Sequence, residues 1–248
     1  MGAKPPVGFF GYPGLPSTQY PPTALLHTLC RPEQDPVAAL QALVDALHAP
    51  EVALPDPGPR PAVATGKPTP EGLAQTVAAV LPEGAIISDE SVSFGRGFYQ
   101  NTHAAAAHDW LHLVGGAIGA GMPLATGAAL GARKQRRVLN LQADGSAMYT
   151  FQSLWTQARE ALPVTTVVLN NGKYNILIGE YKAVGAVSET PGPTAMGMLD
   201  LGNPTIGWVQ MAGSLGVEGA RADSLEACAD LMKASFTKPG PFLIELRI

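Results

Sequence analysis

The chain has 248 residues, enough for one large domain or one domain with a fragment of another. Hydrophobic residues make up 46% and charged residues 15%, so a substantial core can form. With a formal net charge of −4, the short basic run Arg133-Lys134-Gln135-Arg136-Arg137 reads as a solvated turn before a strand, which argues against nucleic-acid binding. Apolar stretches such as Val114–Leu130 are broken by Gly and Pro and read as buried helix, not membrane span. Cys30 and Cys228 lie far apart and in no metal-ligand spacing, and residues 1–20 show no apolar signal core. A soluble, reduced, cytoplasmic protein is expected.

In chain order, Val7-Gly8-Phe9-Phe10 is a short strand candidate, followed by a Pro/Gly turn region. Asp35 and Pro36 open a helix over Val37 to Leu47, with Asp35 as N-cap and Pro36 at the first position. One strand and one helix cannot bury their apolar faces alone, so residues 1–50 read as the tail of another domain. Residues 51–68 are a Pro-rich linker, and 69–248 form the main domain. There a helix runs from Thr69-Pro70-Glu71 to about Leu81, and Ala85–Ser88 is a buried strand ending in the polar Asp89-Glu90-Ser91. Gly115 to Ala132 reads as a small-residue helix region, Val138–Leu141 as a strand, Phe151–Ala161 as a helix and Val164–Leu169 as a strand. Leu225–Phe236 is a helix and Phe242–Leu246 a final strand. Short apolar strands alternating with helices predict an α/β fold, a doubly wound parallel sheet with helices on both faces.

Ligands bind such sheets at the carboxyl ends of the strands. The polar loops Asp89–Ser93, Asp144–Ser146 and Asn170–Lys173 all follow strands. Asp144 offers a carboxylate and Asn171 an amide oxygen, both hard ligands suited to Mg²⁺ or Ca²⁺. Gly145 and Ser146 offer a backbone N–H and a hydroxyl near a helix start, where phosphate is favoured. The implied geometry is a diphosphate clamped through a metal.

Asp144-Gly145-Ser146 followed after 27 residues by Asn171 in Asn170-Asn171 resembles the thiamine-diphosphate motif that begins Gly-Asp-Gly and ends Asn-Asn. The segment from about Asp89 to Ile248 resembles the C-terminal domain of acetolactate synthase large subunits and benzoylformate decarboxylase, and Gly115–Pro123 resembles their Gly-rich segment. Residues 1–48 look like the end of the central domain of the same enzymes. The resemblance implies that Mg²⁺ is bound by Asp144, Asn171 and the Lys173 carbonyl. It implies diphosphate contacts from Gly145, Ser146, the Ile176 backbone, Ser91 and Ser93. Ile118 would be the apolar wedge under the thiazolium ring, and the Gly116 carbonyl would accept a hydrogen bond from the 4′-amino group. Leu177 falls where benzoylformate decarboxylase has an apolar residue, which implies an apolar pocket for a bulky or aromatic 2-oxo acid. The implied activity is decarboxylation or carboligation of a 2-oxo acid.

Two residues depart from the pattern. Ala143 replaces the first Gly, costly if the backbone there needs positive φ and tolerable in ordinary strand geometry. Gly207 stands where many relatives carry an acid. The family also takes an activating glutamate from a separate pyrimidine-binding domain; Glu71, Glu83 and Glu90 are not read as supplying it. The expectation is half a cofactor site, inactive alone, completed by a homo-oligomer or a complementary subunit carrying that domain. The alternative is a non-catalytic binding or assembly module. A generic nucleotide-binding α/β protein is disfavoured by the lack of Gly-x-Gly-x-x-Gly after the first strand.

Other features have plainer readings. His108 and His112 could share a helix face, but with no carboxylate at ligand spacing His103, His108 and His112 read as loop and helix-surface residues. Met122, Met148, Met196, Met198, Met211 and Met232 read as core filler, and Trp155 as core or subunit interface. Residues 185–203 are either a mobile lid or a surface crossover.

Overall fold

The computed structural model describes residues 6–8, 11–53, 55–186 and 190–248. Phe9 and Phe10 of the first strand candidate, Leu54 of the linker and Val187–Glu189 of the candidate lid lie outside them. The chain divides into two compact units, Met1–Asp56 with Gly179–Thr190, and Pro57–Ile178 with Pro191–Ile248.

In the first unit, Val7 makes only an isolated antiparallel bridge with Thr18. Helix α1 spans Pro36–Ala46. Asp35 caps it as expected, its carboxylate accepting from the Val37 and Ala38 amides at 2.9 and 3.1 Å. No residue of α1 is buried.

The second unit alternates strand and helix. In chain order its elements are α2 (Pro70–Val80), β1 (Ala85–Glu90), α3 (Phe98–Asn101), β2 (His108–His112), α4 (Gly121–Gly131), β3 (Val138–Ala143), α5 (Asp144–Thr150) and α6 (Ser153–Arg159). Then come β4 (Val164–Asn170), α7 (Asn175–Ala183, which the division between units crosses), α8 (Pro193–Leu199), α9 (Trp208–Ser214), β5 (Glu218–Ala222), α10 (Leu225–Thr237) and β6 (Phe242–Arg247). The six strands form one sheet in the order β2-β1-β3-β4-β6-β5, with every pairing parallel.

Alternating side chains cover both faces. Ile87, Leu139, Leu141, Val167, Leu169, Ile244 and Leu246 pack with α2, α3 and α10. The residues between them point the other way: Val168 and Leu243 pack with α4, α6 and α9, while Ile86, Val138 and Val164 pack with α4. This double burial is why the central strands read as near-continuous apolar runs. The doubly wound α/β sheet is thus as expected.

Several local readings need correction. The strand β1 continues through Asp89 and Glu90, both buried, instead of ending before them. The Gly115–Ala132 region is helical only from Gly121, because Gly115, Gly116 and Gly119 take positive φ values of 67°, 64° and 94° that no right-handed helix admits. Helix begins at Asp144, directly after β3, and not at Phe151. His108 and His112 sit on the edge strand β2, not on a helix. Strand β5, at the other edge, gave no apolar signal. Trp155 is 52% exposed beneath Arg159 and so is not core, while Met148 and Met198 are exposed and, among the described methionines, only Met122 and Met232 are fully buried. Among the described residues no helix is long and apolar enough to cross a membrane.

Candidate functional site

The chain order in the sheet reverses direction between β1 and β3, so their carboxyl ends flank the crevice where doubly wound sheets hold ligands. Register fixes the neighbours there: Glu90 pairs with Gln142, and Ala143 pairs with Leu169 on β4. The loops after β1, β3 and β4 therefore emerge side by side.

Asp144 joins two of them. Its carboxylate, 1% exposed, accepts from the Gly145 amide at 2.8 Å through Oδ1. Oδ2 accepts from the Asn171 and Gly172 amides at 3.0 and 2.7 Å, across 27 and 28 residues of chain. Burial pushes the Asp144 carboxyl above its ordinary pKa, and the backbone N–H bonds from Gly172, Gly145, Asn171 and Lys173 counter that shift. The Asn171 side-chain oxygen accepts from the Lys173 amide at 2.9 Å. Asp144 Oδ1 and Asn171 Oδ1 each accept one bond, so each retains a lone pair for a cation. Among the described residues no three His, Cys, Asp or Glu side chains cluster. The candidate donors are instead one carboxylate, one amide oxygen and a main-chain carbonyl, a set that suits Mg²⁺.

Ala143 has φ −67° and ψ 144°, ordinary extended geometry, so its Cβ imposes no backbone strain there. Gly145 is the position where no side chain fits: a built Cβ comes within 2.6 Å of the Tyr174 ring. Tyr174 itself was not singled out in the sequence. Its phenol is raised above its ordinary pKa by burial and by the neighbouring Tyr149 and Asp144. Ser146, 3% exposed, donates to the Ala143 carbonyl at 3.1 Å and accepts from Gln142 Nε2 at 2.6 Å.

After β1, the Ser91 hydroxyl donates to Asp89 Oδ1 at 2.5 Å. The second Asp89 oxygen lies 3.3 Å from His112 Nδ1 on β2. Ser93 follows, half-buried, after Val92 at φ 53°. Ile118 is 37% exposed on the Gly115–Ala120 loop, and its amide donates to the Gly116 carbonyl at 3.0 Å. Ile176 lies in the first turn of α7, half-buried, and Leu177 beside it is exposed. A cavity of about 480 Å³ beside the edge strand β2 is lined by Asp109, Trp110 and Arg136 among others and includes none of these residues.

Sequence reasoning missed Glu90, Gln142 and Tyr174. Glu90, set aside as a loop residue, is 1% exposed at the end of β1; its carboxylate accepts from the Gly119 and Gly121 amides at 2.5 Å each and from Gln142 Nε2 at 2.9 Å. The available signal was two acids and a Gln at the ends of otherwise apolar strands.

A six-stranded parallel sheet with a switch point between β1 and β3 places the chain in the class of doubly wound α/β proteins, in which the crevice at the strand ends takes the ligand. The chain belongs to the thiamine pyrophosphate enzyme family, whose C-terminal TPP binding domain model matches residues 94–246. It is 48% identical over 245 residues to a Mycobacterium tuberculosis protein provisionally named acetolactate synthase large subunit IlvX, a match covering 99% of this chain and 47% of that one. It is 30% identical over 215 residues to benzoylformate decarboxylase of Pseudomonas aeruginosa, covering 86% and 39%. Among solved structures, the thiamine diphosphate-dependent 4-hydroxybenzoylformate decarboxylase of Rhodococcus jostii RHA1 superposes with a TM-score of 0.68 at 30% identity, covering 85% of this chain and 38% of that one. The chain thus spans less than half the length of these relatives.

Proposed function

We propose that the chain binds thiamine diphosphate through Mg²⁺ as the diphosphate-binding part of an enzyme that decarboxylates or ligates 2-oxo acids. The observation that carries this reading is the Asp144 carboxylate, which ties the Asp-Gly-Ser turn to the Asn170–Lys173 loop and keeps a lone pair free. In this reading Asp144, Asn171 and the Lys173 carbonyl hold the metal. Gly145, Ser146, the Ile176 backbone, Ser91 and Ser93 bind the diphosphate. The Ser91 hydroxyl, now donated to Asp89, turns to the phosphate on binding. Ile118 would be the apolar wedge under the thiazolium ring, and the Gly116 carbonyl would accept a hydrogen bond from the 4′-amino group. When bound, the cofactor supplies the nucleophilic carbon and electron sink that 2-oxo acid chemistry requires.

The substrate class is supported by relatives named for acetolactate and benzoylformate chemistry. The activating glutamate is proposed to come from a pyrimidine-binding domain, in a second copy or a complementary subunit. The tail-linker-domain division at residues 1–50, 51–68 and 69–248 belongs to the same proposal. A reducing, cytoplasmic setting belongs to the same proposal.

Calorimetric titration of thiamine diphosphate into the chain tests the reading. Binding is expected in Mg²⁺, lost in EDTA, and weakened roughly 10–100-fold in Asp144→Ala and Asn171→Ala. Asn171→Ala leaves only one amide without its acceptor and so separates ligation from folding. Equal affinity with Mg²⁺ and with EDTA would overturn the metal assignment.

A further inference from the structure

Beneath the amino end of α4 lies a buried polar network that the site assignment does not use. Ser88 donates to the Gly121 carbonyl at 2.9 Å, and Asn140 reaches Gln142 and Thr166 at 3.4 Å. Glu90 is its centre. A carboxylate out of water is costly unless it is paired or fully hydrogen-bonded. Among the described residues no Lys, Arg or His forms an ion pair with Glu90. Its compensation is three N–H donors: the Gly121 amide, which opens α4 where the helix dipole favours negative charge, the Gly119 amide in the loop just before it, and Gln142 Nε2.

Those donors belong to both arms of the site. Gly119 and Gly121 close the loop that carries Gly116 and Ile118. Gln142 Nε2 also bonds Ser146 Oγ, on the Asp-Gly-Ser turn. The fit is tight: a Cβ on Gly121 would come within 2.4 Å of Gln142 Oε1 and 2.7 Å of Glu90 Oε2. Gly119, at φ 94°, would press a Cβ within 2.7 Å of the Tyr149 Cβ. The loop is thus drawn down onto the sheet by one carboxylate, with glycine where the backbone meets it.

Resting on the function proposed above, we infer that Glu90 is a positioning residue for the thiamine moiety: it fixes the Gly115–Ala120 loop, and so Gly116 and Ile118, in the binding shape before the cofactor arrives. Glu90 bonds directly to no residue assigned to the metal or the diphosphate; it reaches Ser146 only through Gln142, and Ser146 keeps its own bond to the Ala143 carbonyl. Its loss should therefore impair recognition of the rings far more than recognition of the diphosphate.

Glu90→Gln tests this, because it replaces one acceptor oxygen by a donor facing N–H groups. The wild-type chain and the variant are titrated in Mg²⁺ with thiamine diphosphate and with inorganic diphosphate. Thiamine diphosphate is expected to weaken about tenfold or more and inorganic diphosphate to stay within about twofold. Equal weakening of both probes would make Glu90 a general scaffold residue and overturn the inference; unchanged binding of both would do the same. A wild-type chain that binds neither probe would instead overturn the functional reading beneath it. Should Glu90→Gln fail to fold, the wild-type chain decides by NMR. The Gly119 and Gly121 amide protons are expected downfield and slowly exchanging before any ligand is added, and to shift with thiamine diphosphate but not with inorganic diphosphate. Exchange at open-loop rates overturns preorganisation by Glu90.

Discussion

A carboxylate buried without a cation recurs in this site. Asp144 and Glu90 are both almost wholly enclosed, and each is compensated by backbone amides drawn from distant segments. Such residues are chosen for what they hold together, since an apolar residue would occupy the same space at lower desolvation cost. Asp144 was legible in the sequence because Asp-Gly-Ser and Asn-Asn stand in a recognisable order. Glu90 was not, because nothing local shows that its donors are the amides of glycines some thirty residues downstream. Cys228 illustrates burial without such compensation: its thiol is pushed up to about 12 by desolvation alone. The folded state keeps the proton where the unfolded chain, with an ordinary thiol, releases it. Stability is therefore expected to fall as pH rises from about 9 toward 12, by up to about 1.4 kcal/mol per unit. Urea denaturation across that range checks this, and Cys228→Ala should lose the Cys228 part of the alkaline slope.

Among elements, those with caps and long apolar periods were readable and those at the sheet edges were not. Thr69 begins α2 with Pro70 at the first position and Glu71 in the first turn, and its hydroxyl accepts from the Gly72 amide at 3.0 Å. Because α2 packs Leu73, Ala74 and Val77 into the core, Thr69→Ala is expected to destabilise the second unit by about 1 kcal/mol, measured by urea denaturation. A change below about 0.3 kcal/mol would mean that Pro70 sets the helix start without the cap. Strands β2 and β5 escaped notice because they are the two edges, with exposed His112 and Glu218 in place of an apolar run. Only pairing with β1 and β6 makes them strands. The helix expected over Gly115–Ala132 lost its first turn because the glycines adopt left-handed backbone conformations.

At the scale of the whole molecule, burial is concentrated in the sheet of the second unit. Strands β3 and β4 are central and covered on both faces, whereas α1 of the first unit buries no residue. Local opening free energies follow that contrast. Hydrogen exchange is expected to be slowest at Leu139–Leu141 and Val167–Leu169 and fastest in α1, by several orders of magnitude. Comparable protection of α1 and β4 would show that the first unit is stabilised by an association, as an oligomeric assembly would provide.

The sequence by itself determined the fold class, the central strands, the capped helices and the pairing of the Asp144 and Asn171 loops. Those depend on local periodicity, local caps and a motif carried in chain order. The tertiary structure decided the edge strands, the boundaries of α4 and α5, the ordinary backbone geometry of Ala143 and the burial of Glu90 among backbone amides. Each of these turns on which segments the sheet brings side by side: an edge strand exists only through its neighbour, and a buried carboxylate is satisfied only by the amides that folding delivers to it.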